Sequence, residues 1–197
     1  MKRVIGITGG VGSGKSTALM LLKEKYDAYI CMADELGHRA MDQGTGAYIQ
    51  IVKQFGPDIL ACNGEINRNA LADIVYHDEG RLHCLNRIIH PYVKREIRKQ
   101  MERCPARLFV LETAILFETG CDRLCDEVWG VIAGDEIRIA RLMESRGYSR
   151  EKAESIMRQQ MGSGELAERC DVVLVNDGDR QELLDQLENV LENKYGL

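Results

Sequence analysis

Gly9-Gly10-Val11-Gly12-Ser13-Gly14-Lys15-Ser16 follows directly on the apolar run Lys2-Arg3-Val4-Ile5-Gly6-Ile7-Thr8. The octet matches G-x-x-x-x-G-K-[ST] in full, and Thr17 comes next. The run before it reads as a buried strand that stops at the two glycines. From about Lys15 to Lys25 the pattern turns helical, with Leu19, Leu22 and Tyr26 spaced for one face. Strand, glycine turn and helix are the context this motif requires. Glycines let several backbone amides converge on a phosphate chain, and the helix start adds its positive dipole end. Lys15 is then expected to reach the β- and γ-phosphates, and the Ser16 hydroxyl to ligate Mg²⁺. The alternative is a tightly packed glycine turn that binds nothing.

Working outward, Ala28 to Met32 reads as a second strand and Ala33 to about Met41 as a helix. With the first strand they suggest a right-handed βαβ unit and a parallel sheet. Residues 46–54, 69–76 and 78–104 carry helix patterns, and Pro91 is expected to kink or divide the last. Further strands are expected from Arg107 to Glu112, Glu127 to Ala133 and Asp171 to Asn176. Helices are expected from Asp135 to Arg146, Arg150 to Met161 and Arg180 to Asn193. Residues 45–104 hold no good strand, so they read as an inserted helical subdomain overhanging the sheet's carboxyl edge. Open α/β sheets bind ligands at that edge.

Composition narrows the class further. A chain of 197 residues, 45% hydrophobic and 29% charged, suits one globular core with a small insert. No apolar run approaches the ~20 residues that span a bilayer. Met1-Lys2-Arg3-Val4 enters the first strand without a long apolar region, so a cytoplasmic location is expected. The net charge of −5 argues against a general nucleic-acid binder. The cysteines, 7 in number and scattered, read as free thiols rather than a disulfide framework or zinc site.

The phosphate loop does not name the acceptor. A regulatory GTPase needs a base-reading N-K-x-D, which the sequence lacks, and a large motor needs more chain. A kinase for a nucleotide or small molecule fits the length best. Asp34, just beyond the second strand, can take a proton from an attacking hydroxyl; it can equally be a helix-start aspartate favoured by capping. Glu112 ends an apolar strand as a Walker B acid would, where it can orient a Mg²⁺-bound water or simply face solvent. Arg138 and Arg141 share a helix face on which an arginine can close over a transferring phosphate. For Arg138 a solvated surface is the preferred reading. The basic stretch from Arg81 to Arg103 is a solvated helix surface or a docking face for a phosphorylated substrate.

Taken together, the residues resemble the dephospho-CoA kinase family over nearly the whole chain. The likeness runs through Ile7 to Ser16, Ala33-Asp34 with His38, Gly44-Thr45, Phe55 to Leu60, Gly64 to Arg68 and Ile89-His90-Pro91. It continues through Leu116-Phe117-Glu118, Arg141-Leu142-Met143, Gln160, Asp171, Asn176 and Gly178. The resemblance implies an α/β, three-layer P-loop NTPase fold with a five-stranded parallel sheet. It implies one kinase domain, with core 1–44 and 105–197, a CoA-binding helical insert at about 45–104 and a lid at about 138–165. The implied activity is ATP- and Mg²⁺-dependent phosphorylation of the ribose 3′-hydroxyl of dephospho-CoA. Asp34 is then the base and Arg141 the lid arginine beside Lys15. Gly10, Val11, Gly12, Ser13, Gly14, Lys15, Ser16 and Thr17 bind ATP, with Asn176 and Gly178 beside its adenine. His38, Arg68 and His90 are substrate contacts, and no nucleic acid, membrane or tight oligomer is implied.

Several positions depart from the family pattern. Met32 stands where the family carries a first aspartate, and Glu112 opens a segment that usually begins with Asp. Ser145 and Leu166 occupy places where basic residues are common, with Arg146 next to the first of them. Two other readings compete with this one: a kinase for a different nucleotide or alcohol, and a nucleotide-gated switch.

Overall fold

The computed structural model describes residues 2–196. Five strands form one sheet: β1 (Arg3–Thr8), β2 (Tyr29–Met32), β3 (Leu108–Glu112), β4 (Glu127–Ile132) and β5 (Val172–Val175). Their order is β2-β3-β1-β4-β5, and β1 pairs in parallel with both β3 and β4, as β4 does with β5. The fold class is therefore the α/β parallel sheet expected from the strand–helix alternation. All five residues of β3 are buried. Such a continuous apolar run is what a strand covered on both faces requires. Trp129 and Phe109 are fully buried, and Phe109 stacks on Tyr29 with ring centroids 5.3 Å apart.

Two aspartates extend the ladders beyond the apolar runs. Asp126 donates its amide to the Val4 carbonyl at 2.7 Å, and its carboxylate accepts the Val4 amide at 2.8 Å. Asp171 makes the same pair of bonds to Val128, at 2.8 and 2.7 Å. These short acidic side chains satisfy edge amides where the next strand has yet to begin.

Two compact units divide the chain, Met1–Cys31 with Cys104–Leu197, and Met32–Arg103. The first holds the sheet with α1 (Lys15–Tyr26), α6 (Asp135–Arg146), α7 (Arg150–Arg158), α8 (Ser163–Arg169) and α9 (Arg180–Tyr195). Asp179 caps α9 through the amides of Gln181 and Glu182, and Leu183, Leu184, Leu187 and Leu191 form its buried stripe.

The second unit is helical: α2 (Ala33–Arg39), α3 (Gly46–Phe55), α4 (Arg68–Tyr76) and α5 (Glu79–Arg103). Ile51, Phe55, Ile59, Ile66, Leu71 and Leu85 make its core. Thr45 caps α3 and Asn67 caps α4 through their side-chain oxygens. This unit takes in α2 as well as most of the block at 45–104.

Two helix expectations are corrected. Pro91 does not divide its helix; α5 runs unbroken from Glu79 to Arg103. Proline removes one amide from the helix, but Leu85, Val93 and Ile97 are buried on either side of it, and α5 packs against α2, α3 and α4. Packing outweighs the lost bond. The helix expected to reach Met161 instead ends at Arg158, and α8 follows it. Gly162 and Gly164 mask that short helix in the sequence, and its buried anchor is Leu166.

Candidate active site

The phosphate loop joins β1 to α1 at the middle of the sheet, between the carboxyl ends of β3 and β4. Gly12 and Gly14 take positive φ values of 76° and 87°. A Cβ on Gly12 would press on the Arg138 backbone, and one on Gly14 would overlap the Asn176 amide. Glycine is thus required at both for conformation and for space. Thr17 and Ala18 both donate their amides to the Gly14 carbonyl, which starts α1. Lys15 Nζ folds back on the loop and donates to the carbonyls of Gly9 at 2.6 Å and Gly10 at 3.3 Å. Ser16 is exposed in the first turn of α1, with Thr17 half-buried beside it.

Side chains distant in sequence hold this loop. Asn176, buried after β5, donates Nδ2 to the Ser13 carbonyl at 2.8 Å. Gln160 accepts the Val11 amide at 2.7 Å. Arg138 donates Nε–H to the Val11 carbonyl at 2.9 Å. Arg141 brings Nη1 to 3.5 Å from the Gly12 carbonyl. The solvated-surface reading of Arg138 is therefore wrong: the residue is 4% exposed and lies against the loop. Burial draws its pKa below the ordinary guanidinium value, against the opposing pull of Asp135. Spacing on one helix face could not reveal this, because the buried side depends on what packs there.

Glu112 ends β3 in register with Ile7, one residue short of the end of β1. It is 6% exposed, which removes the solvent-facing alternative. Leu166 packs over β4 beside Gly130, so its apolar character serves the fold. Ser145 donates its hydroxyl to the Arg141 carbonyl at 2.6 Å, and Arg146 is exposed at the end of α6. Gly178 lies in the turn before α9, where a Cβ would overlap the Glu182 carboxylate.

In the helical unit, Asp34 is the second residue of α2 and is exposed. His38 and Arg68 come together, with Arg68 Nη2 3.5 Å from the His38 carbonyl. His90 is half-buried on α5, and burial, then the charge of Lys94, holds its pKa below 6.5.

The loop suits an anionic ligand such as a phosphate chain. Ser13 Oγ and Arg138 Nη2 are buried without hydrogen-bond partners among the described residues. Buried polar atoms left unpaired are costly, and these two both lie at the loop. Among the described residues no group of three His, Cys, Asp or Glu could hold a metal ion. A Mg²⁺ here would rest on a hydroxyl, water and the substrate's own phosphates, as is usual for that ion.

A parallel sheet with this loop at its centre, and with lysine and arginine side chains gathered on it, defines a P-loop kinase. Comparison with known proteins narrows the class. The family profile described as dephospho-CoA kinase matches residues 3–182. A dephospho-CoA kinase of Symbiobacterium thermophilum is 40% identical, over 89% of this chain and 74% of its own. That of Geobacillus kaustophilus is 37% identical, over 98% of this chain and 96% of its own. Among solved structures, TT1252 from Thermus thermophilus superposes with a TM-score of 0.83 at 33% identity, covering 99% of both chains. A shikimate kinase from Acinetobacter baumannii, at 15% identity and a TM-score of 0.59 over 99% of this chain and 96% of its own, shares the fold alone. The chain belongs to the dephospho-CoA kinase family.

Proposed function

We propose that this chain transfers the γ-phosphoryl group of ATP to the ribose 3′-hydroxyl of dephospho-CoA, giving coenzyme A and ADP. One observation carries the reading: a complete phosphate loop, gripped by Arg138, Asn176 and Gln160, in a chain matched to the family from residue 3 to 182. The loop residues from Gly10 to Thr17 bind the triphosphate. Lys15 exchanges its bonds to the Gly9 and Gly10 carbonyls for the β- and γ-phosphate oxygens. Arg141 spreads the charge that develops on the transferring group. Mg²⁺, when bound, neutralises phosphate charge; Ser16 Oγ would hold it, with Glu112 acting through water. Asn176 and Gly178 border the adenine.

The acceptor side is the helical insert at about 45–104 together with α2. Asp34 accepts the proton of the 3′-hydroxyl as that oxygen attacks, and the proton moves from substrate oxygen to carboxylate. His38, Arg68 and His90 contact dephospho-CoA. The segment at about 138–165, which spans α6 and α7, serves as the lid. The enzyme works in the cytoplasm as a monomer or weak oligomer, without nucleic acid or membrane. Among the described residues no helix is long and apolar enough to cross a membrane.

A product assay tests the reading. Purified protein is given ATP, Mg²⁺ and dephospho-CoA, and CoA and ADP are detected by mass. Equal amounts of both products support it. ADP formed without CoA, or turnover with adenosine or AMP in preference, overturns it.

A further inference from the structure

Val11 is held from three directions at once. Its amide donates to Gln160 Oε1 at 2.7 Å, and its carbonyl accepts Arg138 Nε–H at 2.9 Å. Its side chain packs on the cluster of Ile139, Leu142 and Ala153, which joins α6 to α7. Val11 is an x position of the phosphate-loop motif, where the motif itself asks for no particular residue. Arg138 is fixed in its turn: Nη1 reaches Asp135 Oδ1 at 3.4 Å and Ser163 Oγ at 3.5 Å. Its Nη2 lies so close to Gly10 that a Cβ there would overlap it. The helices of the lid segment thus hold Val11 through its amide, carbonyl and side chain, and touch the loop again at Gly12, where Arg141 Nη1 comes to 3.5 Å from the carbonyl.

We infer that Arg138 and Gln160 are positioning residues for the nucleotide, gripping both polar groups of Val11 so that the front of the phosphate loop keeps a single conformation. The inference rests on the reading that ATP binds this loop. The physical need is plain. A loop with glycine at positions 9, 10, 12 and 14 has much backbone freedom to lose on binding phosphate. Fixing the carbonyl and amide of the one bulky residue between those glycines removes part of that cost before ATP arrives. Gln160 supplies a neutral acceptor, so it adds no negative charge beside the phosphates. Arg138 supplies a donor that stays charged under all ordinary conditions.

The clamp acts on the loop, so it affects ATP and ADP alike and leaves dephospho-CoA binding unchanged. Arg138→Met and Gln160→Met keep side-chain length and remove the polar contact. Calorimetry with MgATP, MgADP and dephospho-CoA, with melting temperatures in parallel, reads the effect. Each variant is expected to bind both nucleotides about five- to tenfold more weakly, the loss of one hydrogen bond or a little more. The double variant is expected to fall no more than about twofold below the weaker single one, since both contacts order the same peptide. Nucleotide affinities unchanged in folded single variants would overturn the proposal. So would a loss confined to ATP, which would make Arg138 a contact of the terminal phosphate. If Arg138→Met fails to fold, Gln160→Met decides alone. Failure of the wild-type protein to bind MgATP would instead remove the reading on which the clamp rests.

Discussion

Asn176 Nδ2 donates to the Ser13 carbonyl at 2.8 Å, joining residues 163 positions apart in sequence. The bond ties the loop after β5 to the phosphate loop after β1, although β4 lies between those strands. It also fills the space in which a side chain on Gly14 would stand.

Gly14→Ala is therefore expected to weaken ATP binding and stability together. Alanine at φ 87° is strained, by roughly 1–3 kcal/mol. Its Cβ would also displace the Asn176 amide. The double variant Gly14→Ala with Asn176→Ala should recover part of the stability by relieving the overlap. Melting curves of the two single variants and the double variant check this; a double variant with strictly additive losses would count against the steric account.

Lys15→Ala is expected to lower turnover by about 10²-fold or more, on the scale of single electrostatic contacts in active sites. The loop should stay folded, because its glycine conformations and the Asn176 and Arg138 contacts do not depend on the lysine. Turnover close to that of wild type would mean that phosphoryl transfer does not occur at this loop.

Asp34→Asn separates a base from a helix-start residue: Met32 holds the N-cap position of α2, so the capping role expected of Asp34 is not the one it plays. Asp34 lies in the first turn of α2, where either residue is compatible with the helix start. If Asp34 takes the hydroxyl proton, kcat falls by ~10²- to 10⁴-fold while both substrates still bind. Activity within a few-fold of wild type, measured beside unchanged melting temperature, would dismiss Asp34 as the base and make Glu112 the next candidate.

His90 gives stability a pH dependence of definite sign. Burial and Lys94 hold its folded pKa below 6.5, so the unfolded chain binds this proton more tightly. The stability it confers is fully present above about pH 6.5 and is lost as pH falls through the lower folded value. Urea midpoints measured from about pH 5 to 7 should rise with pH, and His90→Gln should flatten that rise. An identical slope in the variant would show that other groups carry it.

The sequence by itself determined the elements whose cause is local. The phosphate loop was legible because glycines, Lys15 and Ser16 follow an apolar strand in a fixed spacing. The apolar runs that became β1 to β5 were legible for the same reason, as was the leucine stripe of α9. The tertiary structure decided what depends on partners far away in the chain. Arg138 is charged and lies on an amphipathic helix, so sequence assigns it to water; it is buried against the phosphate loop, where the Val11 carbonyl accepts a hydrogen bond from its Nε–H. Gln160 and Asn176 belong to no local periodicity and stand out in the sequence only through the family likeness; their grip on backbone groups 149 and 163 residues away is visible only in the fold. Pro91 breaks helices in isolation, yet apolar packing on both sides of it keeps α5 whole. Hydrophobic periodicity repeats along the chain and can be read there, whereas a single side chain bonded to a remote backbone atom repeats nothing.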